Sequence, residues 1–262
     1  MTVDYSKAVK MAVCCQEIYQ DFSKIAFSGW TEKPILISDK TTDTQLAILA
    51  DSSAVTIVFR GTESRMDWRY NFDTGKISKD IDQQKKNKEF DEKIIQQQIV
   101  AKTEQIYPYK KGNNSGPLMH SGFSNAYLSV RDQIHQYIKD NQTANIIVTG
   151  HSLGGALATL CGVDIQYNFH PQLSSLEVYT FGSPKVGNKK FCQSYNQRVP
   201  NTYRFIYGMD IVPALPRWWQ GRYGHVDQQL RLGPWFSFNF ISARVKDHDI
   251  RNYIRLLAKT LN

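Results

Sequence analysis

Ser152 stands at the centre of Gly150-His151-Ser152-Leu153-Gly154. The β-branched stretch Asn145-Ile146-Ile147-Val148-Thr149 before it reads as a strand, and Gly155-Ala156-Leu157-Ala158-Thr159-Leu160 after it as the start of a helix. A serine at the apex of a sharp strand-to-helix turn, in the pattern G-x-S-x-G, is how a hydroxyl is presented as a nucleophile. The turn is tight, so the positions two before and two after the serine must lack bulky side chains. Gly150 and Gly154 meet that need, and Gly155 lets the helix start lie close to the sheet. A serine hydroxyl is a weak nucleophile alone; it needs a base, and the base needs an orienting acid. The chemistry this implies is acyl transfer through a covalent intermediate.

When such a serine sits on a strand–helix turn, the acid and then the histidine follow it along the chain. Asp210 lies at the end of the apolar run Thr202-Tyr203-Arg204-Phe205-Ile206-Tyr207, in Asp210-Ile211-Val212-Pro213. Loops at the carboxyl ends of strands are where ligands approach an open α/β sheet. Asp164 falls inside the helix after the serine, and Asp227 and Asp247 lack that strand-end position. Six histidines compete for the base. His151 lies in the turn itself and is expected to point away from the site. His120 and His135 precede the serine, with His135 expected on an exposed helix face, and His170 belongs to a connecting loop. His225 and His248 both follow Asp210. His248 opens the last helix and is favoured by its spacing, whereas His225 begins a stretch of strand-like alternation. Acyl transfer also needs two N–H donors aimed at the developing oxyanion. One is expected from Leu153, directly after the serine at a helix start. The other is expected from the loop Gly61-Thr62, where the Thr62 hydroxyl adds a donor. On the residues alone, Arg60-Gly61-Thr62 is equally a plain turn after a buried strand.

The elements that must hold these groups alternate in type. Val9, Val13, Ile18 and Phe22 mark a first helix over residues 7–22. Strands are expected over 35–38, 44–50 and 54–60, with Asp51-Ser52-Ser53 turning the chain between the last two. Residues 74–117 read as a charge-rich, Lys- and Gln-laden insertion with one helix, a solvated face in character. A helix over 121–139 precedes the serine strand; further strands follow at 176–181 and 202–207, and a final helix at 248–261. This is an α/β pattern with a mostly parallel sheet flanked by helices. Neither a repeat nor a linker divides residues 1–262, so a single domain is expected.

Composition narrows the classes of partner. The chain has 262 residues, 41% hydrophobic and 12% aromatic, enough to bury a sizeable core. No apolar run approaches the roughly 20 residues of a membrane span, and residues 1–21 lack the apolar stretch and cleavage site of a secretory signal. The expected location is therefore cytoplasmic as synthesised, or export by a signal-independent route. A net charge of +8 suits anionic membrane surfaces. Without a P-loop, zinc-finger spacing or RNA-binding aromatic motif, it does not indicate nucleic acid. Cys14, Cys15, Cys161 and Cys192 show no metal-ligand spacing and are expected as buried free thiols, with no metal or organic cofactor.

Phe59-Arg60-Gly61-Thr62, His120-Ser121-Gly122-Phe123, Gly150-His151-Ser152-Leu153-Gly154-Gly155-Ala156, Phe181-Gly182-Ser183-Pro184-Lys185-Val186-Gly187-Asn188 and Asp210-Ile211-Val212-Pro213 occur in this order. Together they resemble the class 3 lipase family, the filamentous-fungal triacylglycerol lipase type of α/β hydrolase, over residues 44–253. The resemblance implies an α/β-hydrolase fold, Ser152 as nucleophile, Asp210 as acid and His248 as base. It also implies an oxyanion hole from Thr62 and Leu153, and it places His225 on a family histidine that is not the base. The implied activity is hydrolysis of lipid esters, acylglycerols or phospholipids, through an acyl-enzyme. A hydrolase of soluble esters and a catalytically silent lipid- or partner-binding domain are the alternatives. The family's lid falls on residues 63–73, where Trp68 and Asp73 fit its pattern. Three features depart from the family: the long Lys/Gln-rich insertion, Asp227 where many members carry glycine, and the lack of evident secretion and disulfide signals. The aromatic clusters Trp68-Tyr70-Phe72, Trp218-Trp219 and Trp235-Phe236-Phe238-Phe240 would suit a lipid-facing rim or an acyl pocket, or ordinary packing for the last of them.

Overall fold

Val55-Thr56-Ile57-Val58-Phe59 forms a strand buried along its whole length, as a strand covered on both faces must be. It lies inside a seven-stranded sheet of a computed structural model that describes residues 3–61, 117–215, 223–227, 229–233 and 246–261. The strands are β1 (Ile35–Asp39), β2 (Thr44–Ala50), β3 (Val55–Phe59), β4 (Asn145–His151), β5 (Ser175–Phe181), β7 (Thr202–Tyr207) and β9 (Gln229–Leu232). Their spatial order is β1-β2-β3-β4-β5-β7-β9. The first two pairs are antiparallel and the remaining four parallel. Two two-residue strands, β6 (Gly187–Asn188) and β8 (Tyr223–Gly224), pair separately. The helices are α1 (Tyr5–Glu17), α2 (Ser121–Asp140), α3 (Leu153–Phe169), α4 (Lys189–Arg198) and α5 (Ile250–Lys259).

Turn chemistry places the strands. Asp51 Oδ1 accepts from the N–H groups of Ser53 and Ala54 at 2.8 and 3.0 Å, an Asx turn that reverses the chain from β2 into β3. Because side chains alternate across a strand, β5 feeds two cores. Val178 faces one built with α2 and α3, while its neighbour Tyr179 and then Phe181 face another built with α1 and α5. Phe59, Phe181 and Phe205 have no exposed surface, and burial of such a side chain stabilises the fold by about 2 kcal/mol. The helix after the serine, α3, is buried over nearly its whole circumference. That is expected of a helix apolar all round, covered by the sheet on one side and α2 on the other. All four cysteines are buried free thiols. Burial pushes Cys192 up to about 11 and Cys14 up to about 12, so they remain protonated.

Several elements differ from the sequence expectation. The first helix stops at Glu17 rather than at residue 22. There Asp21 accepts from the Ser23 N–H and hydroxyl at 3.1 and 2.8 Å, and this local turn overrides the apolar periodicity. The last helix begins at Ile250 with Asp249 as its cap, so His248 sits on the turn before it. The small strands β6 and β8 and helix α4 were not anticipated, whereas β9 falls within the strand-like alternation that begins at His225. The charged insertion expected at 74–117 lies outside the described residues, apart from Pro117.

Candidate active site

Strand β4 delivers Ser152 to the carboxyl edge of the sheet. Its φ and ψ are 58° and −127°, a conformation that costs a side-chain-bearing residue on the order of 1–3 kcal/mol and persists only when its surroundings enforce it. The surroundings do so. The Ser152 N–H donates to Phe181 O at 3.0 Å. A Cβ on Gly150 would meet the Gly154 carbonyl at 2.2 Å, and one on Gly154 would meet Phe59 O at 2.3 Å. Both glycines are therefore required by close backbone approach. Immediately after the serine, Leu153 begins α3, where N–H groups have no intrahelical acceptor and the helix dipole favours negative charge.

Asp210 follows β7 by a turn closed by its own N–H on Tyr207 O at 3.0 Å. Asp210 is buried, its side chain without exposed surface, and its carboxylate is well supplied with donors. Oδ1 accepts from the Val212 N–H at 2.9 Å. Oδ2 accepts from His248 Nδ1 at 2.8 Å and also from the Tyr253 hydroxyl. With Nδ1–H committed to the carboxylate, the lone pair of the neutral imidazole is on Nε2. Gly182 makes room for the pair: its φ is 58°, and a Cβ there would fall 2.6 Å from Asp210 Oδ2 and 2.9 Å from the His248 ring. Gly182 directly follows Phe181, whose carbonyl accepts from Ser152. The three residues are thus gathered around one strand end. Tyr253 is fully buried, and burial together with the Asp210 charge pushes its phenol well above the usual range. It remains a donor to the acid.

The other histidines have separate partners. His225 Nε2 donates to Pro213 O at 2.6 Å, pinning the short 3₁₀ turn Val212–Ala214 that follows Asp210. Burial and the nearby Arg204 charge lower its pKa to about 3, so it stays neutral and is not the base paired with Asp210. His135 is not on an exposed face, contrary to the sequence expectation. It is buried, with Nε2 2.8 Å from Asp164 Oδ2. Asp164 also receives the Tyr127 hydroxyl, Asn168 Nδ2 and the Arg131 guanidinium. The periodicity that identified helix α2 did not show that α3 would place a carboxylate against it. His151 is the second correction. Its ring stacks on that of His248 with centroids 4.5 Å apart, and its Nε2 lies 2.8 Å from the His248 main-chain oxygen, so it packs against the proposed base rather than away from it.

Thr62 lies outside the described residues, as do Trp68, Asp73, Trp218, Trp219 and residues 235–240. Asp227, at the position where glycine was expected, adopts φ 49°. This left-handed conformation suits glycine and is tolerated by Asp; its N–H is held by Asn196 Oδ1 at 2.8 Å.

Residues 56–219 match the family described as lipase (class 3). The chain belongs to the class 3 lipase family. Among relatives of this class 3 lipase chain, a Caenorhabditis elegans lipase (ZK262.3) is 42% identical over 102 residues, covering 36% of the chain and 29% of the relative. The secreted mono- and diacylglycerol lipase 1 of Fusarium solani is 38% identical over 102 residues, covering 37% and 29%. The chain therefore spans less than a third of the length of these two relatives. The crystal structure of the lipase from Rhizopus microsporus var. chinensis superposes with a TM-score of 0.58 at 25% identity, covering 87% of this chain and 72% of that one. The class 3 lipase chain has the α/β-hydrolase fold.

Tyr253 was missed in reading the sequence, although a signal for it existed. Ile250, Tyr253 and Leu257 form the inward stripe of α5, and a buried tyrosine hydroxyl must find a partner.

Proposed function

We propose that this protein is a serine hydrolase that cleaves carboxylic ester bonds of lipids, acylglycerols or phospholipids, through an acyl-enzyme. The observation carrying this reading is a serine held at φ 58° at the same sheet edge as a buried Asp210 paired at 2.8 Å with a half-buried His248. As Ser152 Oγ attacks the ester carbonyl carbon, His248 Nε2 takes its proton. Asp210 stays ionised, holds the imidazole in the required tautomer and stabilises its charged form. The N–H of Leu153, with Thr62 as the second donor, stabilises the tetrahedral oxyanion. His248 then protonates the departing alcohol as the C–O bond breaks. A water molecule repeats the sequence to release the fatty acid. Every proton transfer has a named donor and acceptor, so the proposed cycle needs no metal or organic cofactor.

The test is a panel of triacylglycerol, phospholipid and short-chain soluble ester, assayed with the wild type and with Ser152→Ala. Hydrolysis by the wild type is expected to fall at least about 10³-fold in the variant, with unchanged thermal unfolding. Labelling by a serine-directed phosphonate should map to Ser152. A rate that rises sharply above the solubility limit of the short ester supports lipid substrates, while unchanged kinetics across that limit favours a soluble-ester hydrolase. Unaltered hydrolysis in Ser152→Ala overturns the mechanism. A wild type that neither hydrolyses esters nor reacts with the phosphonate is a silent binding domain.

A further inference from the structure

His151 has no step in this mechanism, yet it is buried in direct ring contact with the base. Its imidazole stacks on His248 at 29° between planes, with centroids 4.5 Å apart. Its Nε2 lies 2.8 Å from the main-chain oxygen of His248. A carbonyl oxygen only accepts, so Nε2 carries the proton. In the neutral ring Nδ1 is then the acceptor, and the Tyr19 hydroxyl donates to it at 3.0 Å. The Tyr19 ring also meets His151 edge-on, with centroids 5.9 Å apart.

The line of contacts does not end at Tyr19. A Cβ placed on Gly61 would fall 2.2 Å from the Tyr19 hydroxyl and 3.0 Å from His151 O. Both groups therefore press against the residue that precedes Thr62. One short chain of contacts joins the strand end leading to the oxyanion donor, the elbow carrying the nucleophile and the loop carrying the base.

We infer that Tyr19 and His151 are positioning residues that set the His248 imidazole relative to Ser152, through the stacked ring and the hydrogen bond to the His248 carbonyl. The inference rests on the proposed hydrolase reading. Asp210 fixes the ring at Nδ1, but a single hydrogen bond leaves it able to tilt about that contact. A flat partner against the ring face and an anchor on the same residue's backbone remove that freedom. A displacement of about 1 Å in a reacting group is enough to lower a rate about 100-fold.

The experiment compares His151→Leu, His151→Gln and Tyr19→Phe in the full chain, with kcat and KM for a soluble ester, the phosphonate inactivation rate and thermal unfolding. Leucine removes both hydrogen bonds and the flat ring. Glutamine retains one donor and one acceptor at similar spacing. For His151→Leu, kcat and the inactivation rate are expected to fall about 100-fold while KM stays within about twofold. His151→Gln should recover at least about tenfold of that loss, and Tyr19→Phe alone should lose about tenfold. Two results overturn the inference: a folded His151→Leu with kcat within about twofold of wild type, or a folded His151→Gln as impaired as His151→Leu. If His151→Leu does not fold, Tyr19→Phe decides, and an unchanged kcat there overturns the inference. Loss of ester hydrolysis in Ser152→Ala with full activity in the His151 variants would leave the hydrolase reading standing and remove only the positioning role.

Discussion

Both oxygens of Asp210 are occupied, and the three donors have different tasks. Val212 N–H fixes Oδ1, while His248 and Tyr253 share Oδ2. A buried carboxylate left without such donors would be costly to the fold. Tyr253→Phe removes one donor without altering the packing of the ring. It is expected to lower unfolding stability by about 1–2 kcal/mol and kcat by about tenfold, with KM little changed. Urea unfolding and steady-state kinetics check both numbers; an unchanged stability and kcat would show that His248 and Val212 suffice. At this scale the sequence was informative about type and order. Ser152, Asp210 and His248 were the candidates offered by a turn, a strand end and a position beside the final helix. The structure places them around one strand end. Partners that come from a different element were less legible. Nothing local to His135 indicates that Asp164 faces it, and nothing local to His151 indicates that the His248 loop folds over it.

The elements around the site are held by contacts that cross between them, and His225 is the clearest case. It follows β8 and donates to Pro213 O in the turn after Asp210, so the acid loop is fastened to a strand only two residues long. Burial and the Arg204 charge put its pKa at about 3 in the fold, against about 6.5 when unfolded. Between those values the unfolded chain binds a proton that the folded chain does not. Stability must therefore decline as pH falls from about 6.5 towards 3. His225→Gln keeps a donor to Pro213 and has no such titration. Its thermal midpoint is expected to fall less steeply over that pH window, with a difference on the order of a few kcal/mol at the acid end. Parallel pH dependences in the two proteins would reject this. Strands β1 to β5 and β7 were readable because largely apolar runs bounded by turn residues leave few other readings. The two-residue strands β6 and β8 carry too short a pattern for periodicity to register. Helix α4 had a usable signal, since the Asn188 side chain accepts from Phe191 N–H at 2.9 Å as an N-cap. That signal was hidden by the preceding Gly-Ser-Pro-Lys-Val-Gly loop, whose turn residues extend up to the cap itself.

Across the whole molecule, the site occupies the carboxyl edge of the parallel strands, the edge at which ligands approach such sheets. Gly61 follows β3 there, Gly182 follows β5, Asp210 follows β7 and Gly233 follows β9. On the proposed hydrolase reading, an ester buried in a lipid surface must reach this edge from outside, so the charge of the molecule would matter to the encounter. The chain carries 32 Lys and Arg against 24 Asp and Glu. The outward positions of α5 contribute Arg251, Arg255 and Lys259, all exposed. Near an anionic lipid surface each basic side chain contributes about 1 kcal/mol, and the attraction is screened within about 10 Å at 0.1 M salt. The Ser152→Ala protein, which cannot degrade the vesicles, is therefore expected to co-sediment with vesicles containing about 30% phosphatidylserine. It should bind pure phosphatidylcholine at least about tenfold more weakly, and raising the salt from about 0.05 to 0.5 M should release it from the anionic vesicles. Equal binding to both vesicle types at low salt would mean that apolar contact, not charge, brings the protein to lipid. Binding to neither would leave the positive charge a matter of solubility, and the ester would then have to arrive dissolved.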